Sequence, residues 1–99
     1  ILINDENLEI NRFTETIVAN SIKGMLNSIK TEENIKIIDI EISNITNELV
    51  NADIELKTNN HDVELNDFTQ GILKETLYAI VNSLKIDSQI RKINIKVEE

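Results

Sequence analysis

Residues 59–67, NNHDVELND, hold the chain's one histidine, His61, beside Asp62, Glu64 and Asp67, the densest grouping of side chains that could ligate a metal or move a proton. The chain has no cysteine, so a metal bound here would have only imidazole and oxygen ligands. A calcium loop needs oxygen donors at fixed offsets that converge on one cation. Counted from Asn59, His61 falls third, Val63 fifth and Leu65 seventh, and no glutamate stands twelfth. A helical histidine pair fails for want of a second histidine. His61, Asp62 and Glu64 remain weak candidates for a metal site. The simpler reading is helix initiation, because carboxylates near a helix amino end are favoured by about 0.3–1 kcal/mol each.

Other chemistry finds less support. Asp39 with Glu41, and Asp53 with Glu55, are spaced two apart on the outward side of alternating patterns, where nothing supplies the burial or close partner that tunes a catalytic carboxylate. Ser21, Ser28, Ser43, Ser83 and Ser88 lack the glycine-flanked turn of a nucleophile elbow. Gly24 and Gly71 fall within helical patterns, not in a phosphate-cradling loop, and Gly71 could border an inter-helix contact. The chain therefore reads as non-enzymatic, with no cofactor implied.

The elements that would position these residues follow from periodicity. Ile10, Phe13, Ile17, Val18, Ile22, Met25, Leu26 and Ile29 recur at steps of three and four, which predicts an amphipathic helix over about 9–30. Alternation in IKIIDIEI, residues 35–42, and in VNADIELK, residues 50–57, predicts two strands joined as an antiparallel hairpin. Leu65, Phe68, Ile72, Leu73, Leu77, Ile80, Val81 and Leu84 restore the helical period over about 67–85, with Asn66 or Asp67 as the cap. KINIKVEE, residues 92–99, closes the chain as a strand, and ILIN, residues 1–4, is a short leading one. The expectation is a single α+β domain over residues 1–99. It is a two-layer sandwich of order αββαβ, or βαββαβ and ferredoxin-like if 1–4 is a strand, with a mainly antiparallel sheet and both helices on one face. No internal repeat or low-complexity segment is read along the chain.

Composition narrows the partners. A formal net charge of −8 over 99 residues argues against nucleic acid and anionic lipid, because phosphate binding needs a positive footprint. Lys85, Arg91, Lys92 and Lys96 come nearest to one and are interrupted by Asp87, Glu98 and Glu99. No apolar run approaches the ~18 residues of a membrane span, and the start lacks a cationic signal-peptide region. The absence of cysteine is compatible with an intracellular address. The chain opens at Ile1 and not at a methionine, which leaves an upstream segment open.

FTQGILKETLYAIVNSLKIDSQIRKINIKV, with Ile93-Asn94-Ile95-Lys96-Val97 in the place of a terminal Val-Asn-Val-x-Val strand, resembles the ending of the alkaline shock protein family of bacterial general-stress proteins. ANSIKGM, Ala19 to Met25, is similar to that family's first-helix end. The Tyr-Gly and Thr-Gly positions of the family have no counterpart here. The resemblance implies a non-enzymatic, self-associating cytoplasmic protein, tethered near the membrane through a partner protein.

Two functions follow. The first is an interaction or scaffold module, a homo-oligomer whose contact residues are those of the last strand, Arg91, Ile93, Asn94, Ile95, Lys96 and Val97, if that strand is an exposed edge. The second is a small-molecule or metal-responsive regulatory domain of ferredoxin-like type, for which NNHDVELND is the motivating stretch.

Overall fold

The computed structural model describes residues 1–27, 34–84 and 89–98. Its elements are β1 (Leu2–Ile3), β2 (Glu6–Asn7), α1 (Arg12–Asn27), β3 (Ile37–Ser43), a 3-10 turn (Leu49–Asn51), β4 (Asp53–Thr58), β5 (His61–Val63), α2 (Asp67–Asn82) and β6 (Ile93–Glu98). The expected α+β sandwich is present, with six antiparallel strands in the order β2-β1-β6-β3-β4-β5. Ile38, Ile40, Ile42, Leu56, Ile93 and Ile95 are buried under Val18, Ile22 and Leu26 of α1 and Leu77 and Val81 of α2, while the intervening strand residues lie on the open face. Ile29, Lys30, Lys85, Asp87, Ser28, Ser88 and Glu99 lie outside the described residues.

The strand order is a palindrome, and its cause is a duplication in the chain. Residues 11–30, NRFTETIVANSIKGMLNSIK, match residues 66–85, NDFTQGILKETLYAIVNSLK, at a constant offset of 55, and the match extends to 1–44 against 56–99. The expectation of a chain without internal repeats is therefore wrong. Twelve of these forty-four pairs are identical, too few to stand out, and others exchange one aliphatic for another, as in Val18/Leu73, Ile22/Leu77 and Leu26/Val81.

The structure obeys the same offset. β1-β2-α1-β3 is repeated as β4-β5-α2-β6. The central pairing joins Ile40 to Ile95, flanked by Ile38 with Val97 and Ile42 with Ile93, pairs that exchange under the shift of 55. A pseudo-two-fold axis thus passes between Ile40 and Ile95. Within each half the first and last strands run parallel around one strand of the other half, β1 and β3 around β6, and β4 and β6 around β3, so the two halves interlock. The ferredoxin-like order, with the leading strand central, is not the one adopted here. The last strand and β3 share the centre.

Local chemistry is duplicated as well. Asn4-Asp5 and Asn59-Asn60 turn their hairpins with φ of 52 and 65° in one half and 50 and 67° in the other. Asparagine and aspartate tolerate this left-handed conformation, which two-residue hairpin turns require. Asn11 Oδ1 accepts from the Thr14 amide and Asn66 Oδ1 from the Thr69 amide, both at 2.8 Å, which caps the two helices. Asn4 then reaches across the axis, accepting from the Arg91 and Lys92 amides and donating to the Gln89 carbonyl. Asn59 does the same to Lys36, Ile37 and Asn34.

Several boundaries shift. His61–Val63 is a strand and not a helix entrance, because Asn59-Asn60 turns the chain back on β4. Val50, expected inward, is exposed in the 3-10 turn, and β4 starts only at Asp53. Gly71 borders no close contact, since a Cβ built there meets no atom within 4 Å.

Candidate interaction surfaces

The histidine stretch lies on the β5 edge. His61 pairs with Thr58 and Asp62 with Lys57, so the side chains of these two neighbours point to opposite faces, and His61, Asp62 and Glu64 are all exposed. Their equivalents in the first half are Glu6, Asn7 and Glu9, so the hairpin forms with other residue types at the two leading positions. Among the described residues no group of three His, Asp or Glu side chains is placed to hold a metal.

The open face of the sheet carries a charge ladder. Lys96, Asp39, Lys57 and Asp62 stand in one row across β6, β3, β4 and β5 with alternating sign, a favourable cross-strand arrangement. In the next row Glu41 faces Glu55, a like-charge pair, and Lys92 compensates with Nζ 3.3 Å from Glu41 Oε1 and 3.0 Å from Asp5 Oδ1. Its hydrogen bonds to Asp5 first and Glu41 second hold the Lys92 ammonium above the usual lysine range. The Asp39–Glu41 and Asp53–Glu55 pairs thus lie on the open face of the sheet, among Lys57, Lys92 and Lys96.

The helix layer differs. The two phenylalanines of the chain, both expected in the core, are about three-quarters exposed, Phe13 at 74% and Phe68 at 75%. Each has an isoleucine one turn on, Ile17 at 45% and Ile72 at 41%. These are equivalent positions, at the second and sixth residues of α1 and α2. Periodicity placed them on the apolar face, but the buried stripe is narrower, Val18-Ile22-Leu26 and Leu73-Leu77-Val81, and leaves the Phe–Ile pair at its margin.

The last strand, offered for contacts on the condition that it is an exposed edge, lies inside the sheet between β1 and β3. β6 pairs with β3 along its length and with β1 at Ile93 and Asn94. Ile93 and Ile95 are core residues, Asn94 and Val97 are half-buried, and Arg91 and Lys96 are exposed. Ile95–Glu98, beyond the reach of β1, have a single ladder partner. Beside this open length runs a groove of about 760 Å³ between β6, the chain after β2, and α1. Periodicity could not have found it, because it depends on how β6, α1 and the chain after β2 are placed in three dimensions.

Against known proteins, no family model, no curated protein and no solved structure matches this chain. Among the described residues no helix is long and apolar enough to cross a membrane.

Proposed function

We propose that this protein is a non-catalytic interaction module that self-associates through its helix layer. The observation that carries the proposal is the duplicated Phe–Ile pair. An isolated exposed apolar side chain is ordinary, but here both phenylalanines of the chain, each next to an isoleucine, are exposed to the same degree at equivalent sites. Each aromatic ring offers roughly 150–250 Å² for burial, and such residues are enriched at the buried centres of interfaces. The pseudo-two-fold sets the helices antiparallel, so the pairs lie toward opposite ends of the layer. Two layers packed face to face would cover all four pairs in one closed assembly.

Sedimentation over a range of concentrations tests this. The parent chain is expected to form a concentration-dependent dimer and the double variant Phe13→Ser, Phe68→Ser to remain a monomer with an undiminished melt. A parent chain that stays monomeric throughout defeats the proposal. The resemblance to the alkaline shock family adds a stress-related role and a membrane-anchored protein partner, which a co-purification from membranes with the same double variant as control would check.

A further inference from the structure

Neither half of the domain makes a continuous sheet by itself. In the first half the β1–β2 hairpin and β3 are joined through β6 of the second, and in the second half the β4–β5 hairpin and β6 are joined through β3 of the first. On the open face the halves meet through an unequal set of charges. Asp39 stands opposite Lys96 and Glu41 opposite Asn94, and Lys92 Nζ lies 3.0 Å from Asp5 Oδ1 and 3.3 Å from Glu41 Oε1. In both ion pairs of Lys92 the carboxylate belongs to the first half and the ammonium to the second. The duplication shows what like halves would do in the same frame, when each residue is replaced by its counterpart 55 positions away. Two first halves would set Asp39 opposite Glu41 on both sides of the axis, with Ile37 where Lys92 now stands. Two second halves would set Lys92 beside Asn60 and Lys96, the counterparts of Asp5 and Glu41. Like charges facing across a ladder are destabilising. The shared backbone plan thus accepts like and unlike halves, and the charges select the unlike pair.

We propose that this charge-coded interface serves between chains as well as within one, the first half of one copy joining the second half of another. The surface that answers Asp5, Asp39 and Glu41 is that of Lys92 and Lys96, and a second copy carries the same one. The hinge is Thr46–Glu48, which is exposed and lies outside every helix and strand. Its hydrogen bonds stay within the linker, from the Glu48 amide to Thr46 and from Asn51 to Glu48. Before the hinge, Ile45 is buried and donates to the Arg91 carbonyl. After it, Lys74 holds the carbonyls of Val50 and Ala52 against α2, so that part of the linker travels with the second half. Exchange between two copies remakes the whole interface twice and changes only the course of the hinge, which closes the assembly as a two-fold dimer. The inference does not rest on association through the helix layer, because Phe13, Ile17, Phe68 and Ile72 take no part in the strand pairing.

The test uses full-length chains that all carry Phe13→Ser and Phe68→Ser, so that a dimer formed through the helix layer cannot be mistaken for one formed by exchange. One variant adds Lys92→Glu and Lys96→Glu and is acidic on both sides of the interface. The other adds Asp5→Asn, Asp39→Lys and Glu41→Lys and is basic on both sides, with asparagine at position 5 because its counterpart Asn60 adopts the same left-handed turn. Each alone is expected to melt roughly 5–10 °C below the chain with the serine substitutions only, or to fail to fold. Mixed in denaturant and refolded together, the two are expected to form a one-to-one heterodimer by native mass spectrometry and sedimentation, with the melt restored, because opposite signs meet only when halves are exchanged. A third sample holds the unaltered interface, refolded at about 1 mM, the weak end of specific association, from equal parts of isotopically light and heavy chain. It should contain dimers of mixed mass. If either charge variant alone melts with the unaltered interface, the charge code falls. A co-refolded mixture that holds only monomers or melts no higher than its components overturns the exchange, and so does a light–heavy sample without mixed dimers.

Discussion

The two halves of this chain are built to one plan, and they can be compared residue by residue. Their hairpin turns, helix caps, cross-axis asparagine clamps and buried helix stripes coincide at an offset of 55. They part company at the seam. β4 is a six-residue strand preceded by a linker that Lys74 holds against α2, whereas β1 has two residues and Ala19 stands in the place of Lys74. Thr58 on β4 answers to Ile3 on β1, and Ile37 to Lys92. Where the halves agree, the shared residues make the core and the contacts between halves.

If the pseudo-two-fold governs stability, the strongest effect should come at the axis and be the same from both sides. Ile40→Ala and Ile95→Ala remove equivalent, fully buried side chains, each at an expected cost of about 2–5 kcal/mol, and urea unfolding followed by circular dichroism should return matching losses. Ile95→Asp should leave no folded protein, because it buries an unpaired carboxylate in the centre of the sheet. Clearly unequal alanine costs would show that the symmetry is one of shape and not of energetics.

A smaller and unequal effect is expected at the clamps. Asn59→Ala loses left-handed tolerance and the side-chain bonds to Asn34, Lys36 and Ile37, for roughly 2–4 kcal/mol. Asn4→Ala should cost less, since the turn it holds follows a two-residue strand and that of Asn59 a six-residue one. Amide exchange localises each effect. Asn59→Ala should speed exchange at Lys36 and Ile37, and Asn4→Ala at Arg91 and Lys92, across the axis from the mutated residue. Faster exchange only within the mutated half would break the reciprocal picture.

The smallest change should be a gain. Thr58 is fully buried and its Oγ1 has no hydrogen-bond partner among the described residues, while the equivalent Ile3 is buried without difficulty. Thr58→Val keeps the shape and removes the unsatisfied hydroxyl, so a stabilisation of roughly 1 kcal/mol is expected in thermal melts. A loss would reveal a partner for the hydroxyl and a real functional difference between β4 and β1.

Periodicity was enough to place two helices, the three longer strands and the leading one, because each buries one side and the spacing of aliphatics records which. Asn66 was legible as a cap. The short strands β2 and β5 were not, since two or three residues are too few to show an alternation, and NNHDVELND was read as a helix entrance when its Asn-Asn is a hairpin turn. Phe13 and Phe68 were assigned to the core by their helical phase. Phase alone cannot say how wide a stripe a neighbouring sheet will cover, so the residues proposed here for self-association were hidden by the pattern that revealed the helices. The interaction residues expected on the last strand divide in the same way, with Ile93 and Ile95 in the core and Lys96 and Val97 at the open length.

The duplication itself was present in the sequence, written in Asn4/Asn59, Asn11/Asn66, Phe13-Thr14/Phe68-Thr69, Ile17/Ile72 and Ile40/Ile95, because the residues that turn a hairpin or cap a helix are constrained by local backbone geometry and recur wherever that geometry does. Those local constraints, together with the one-sided hydrophobic pattern, determined the elements and their class. Which strand lies beside which was decided only in three dimensions. β6 enters between β1 and β3 because that placement buries Ile93 and Ile95 beside Ile42 and Ile40 and satisfies the backbone on both sides of its first residues.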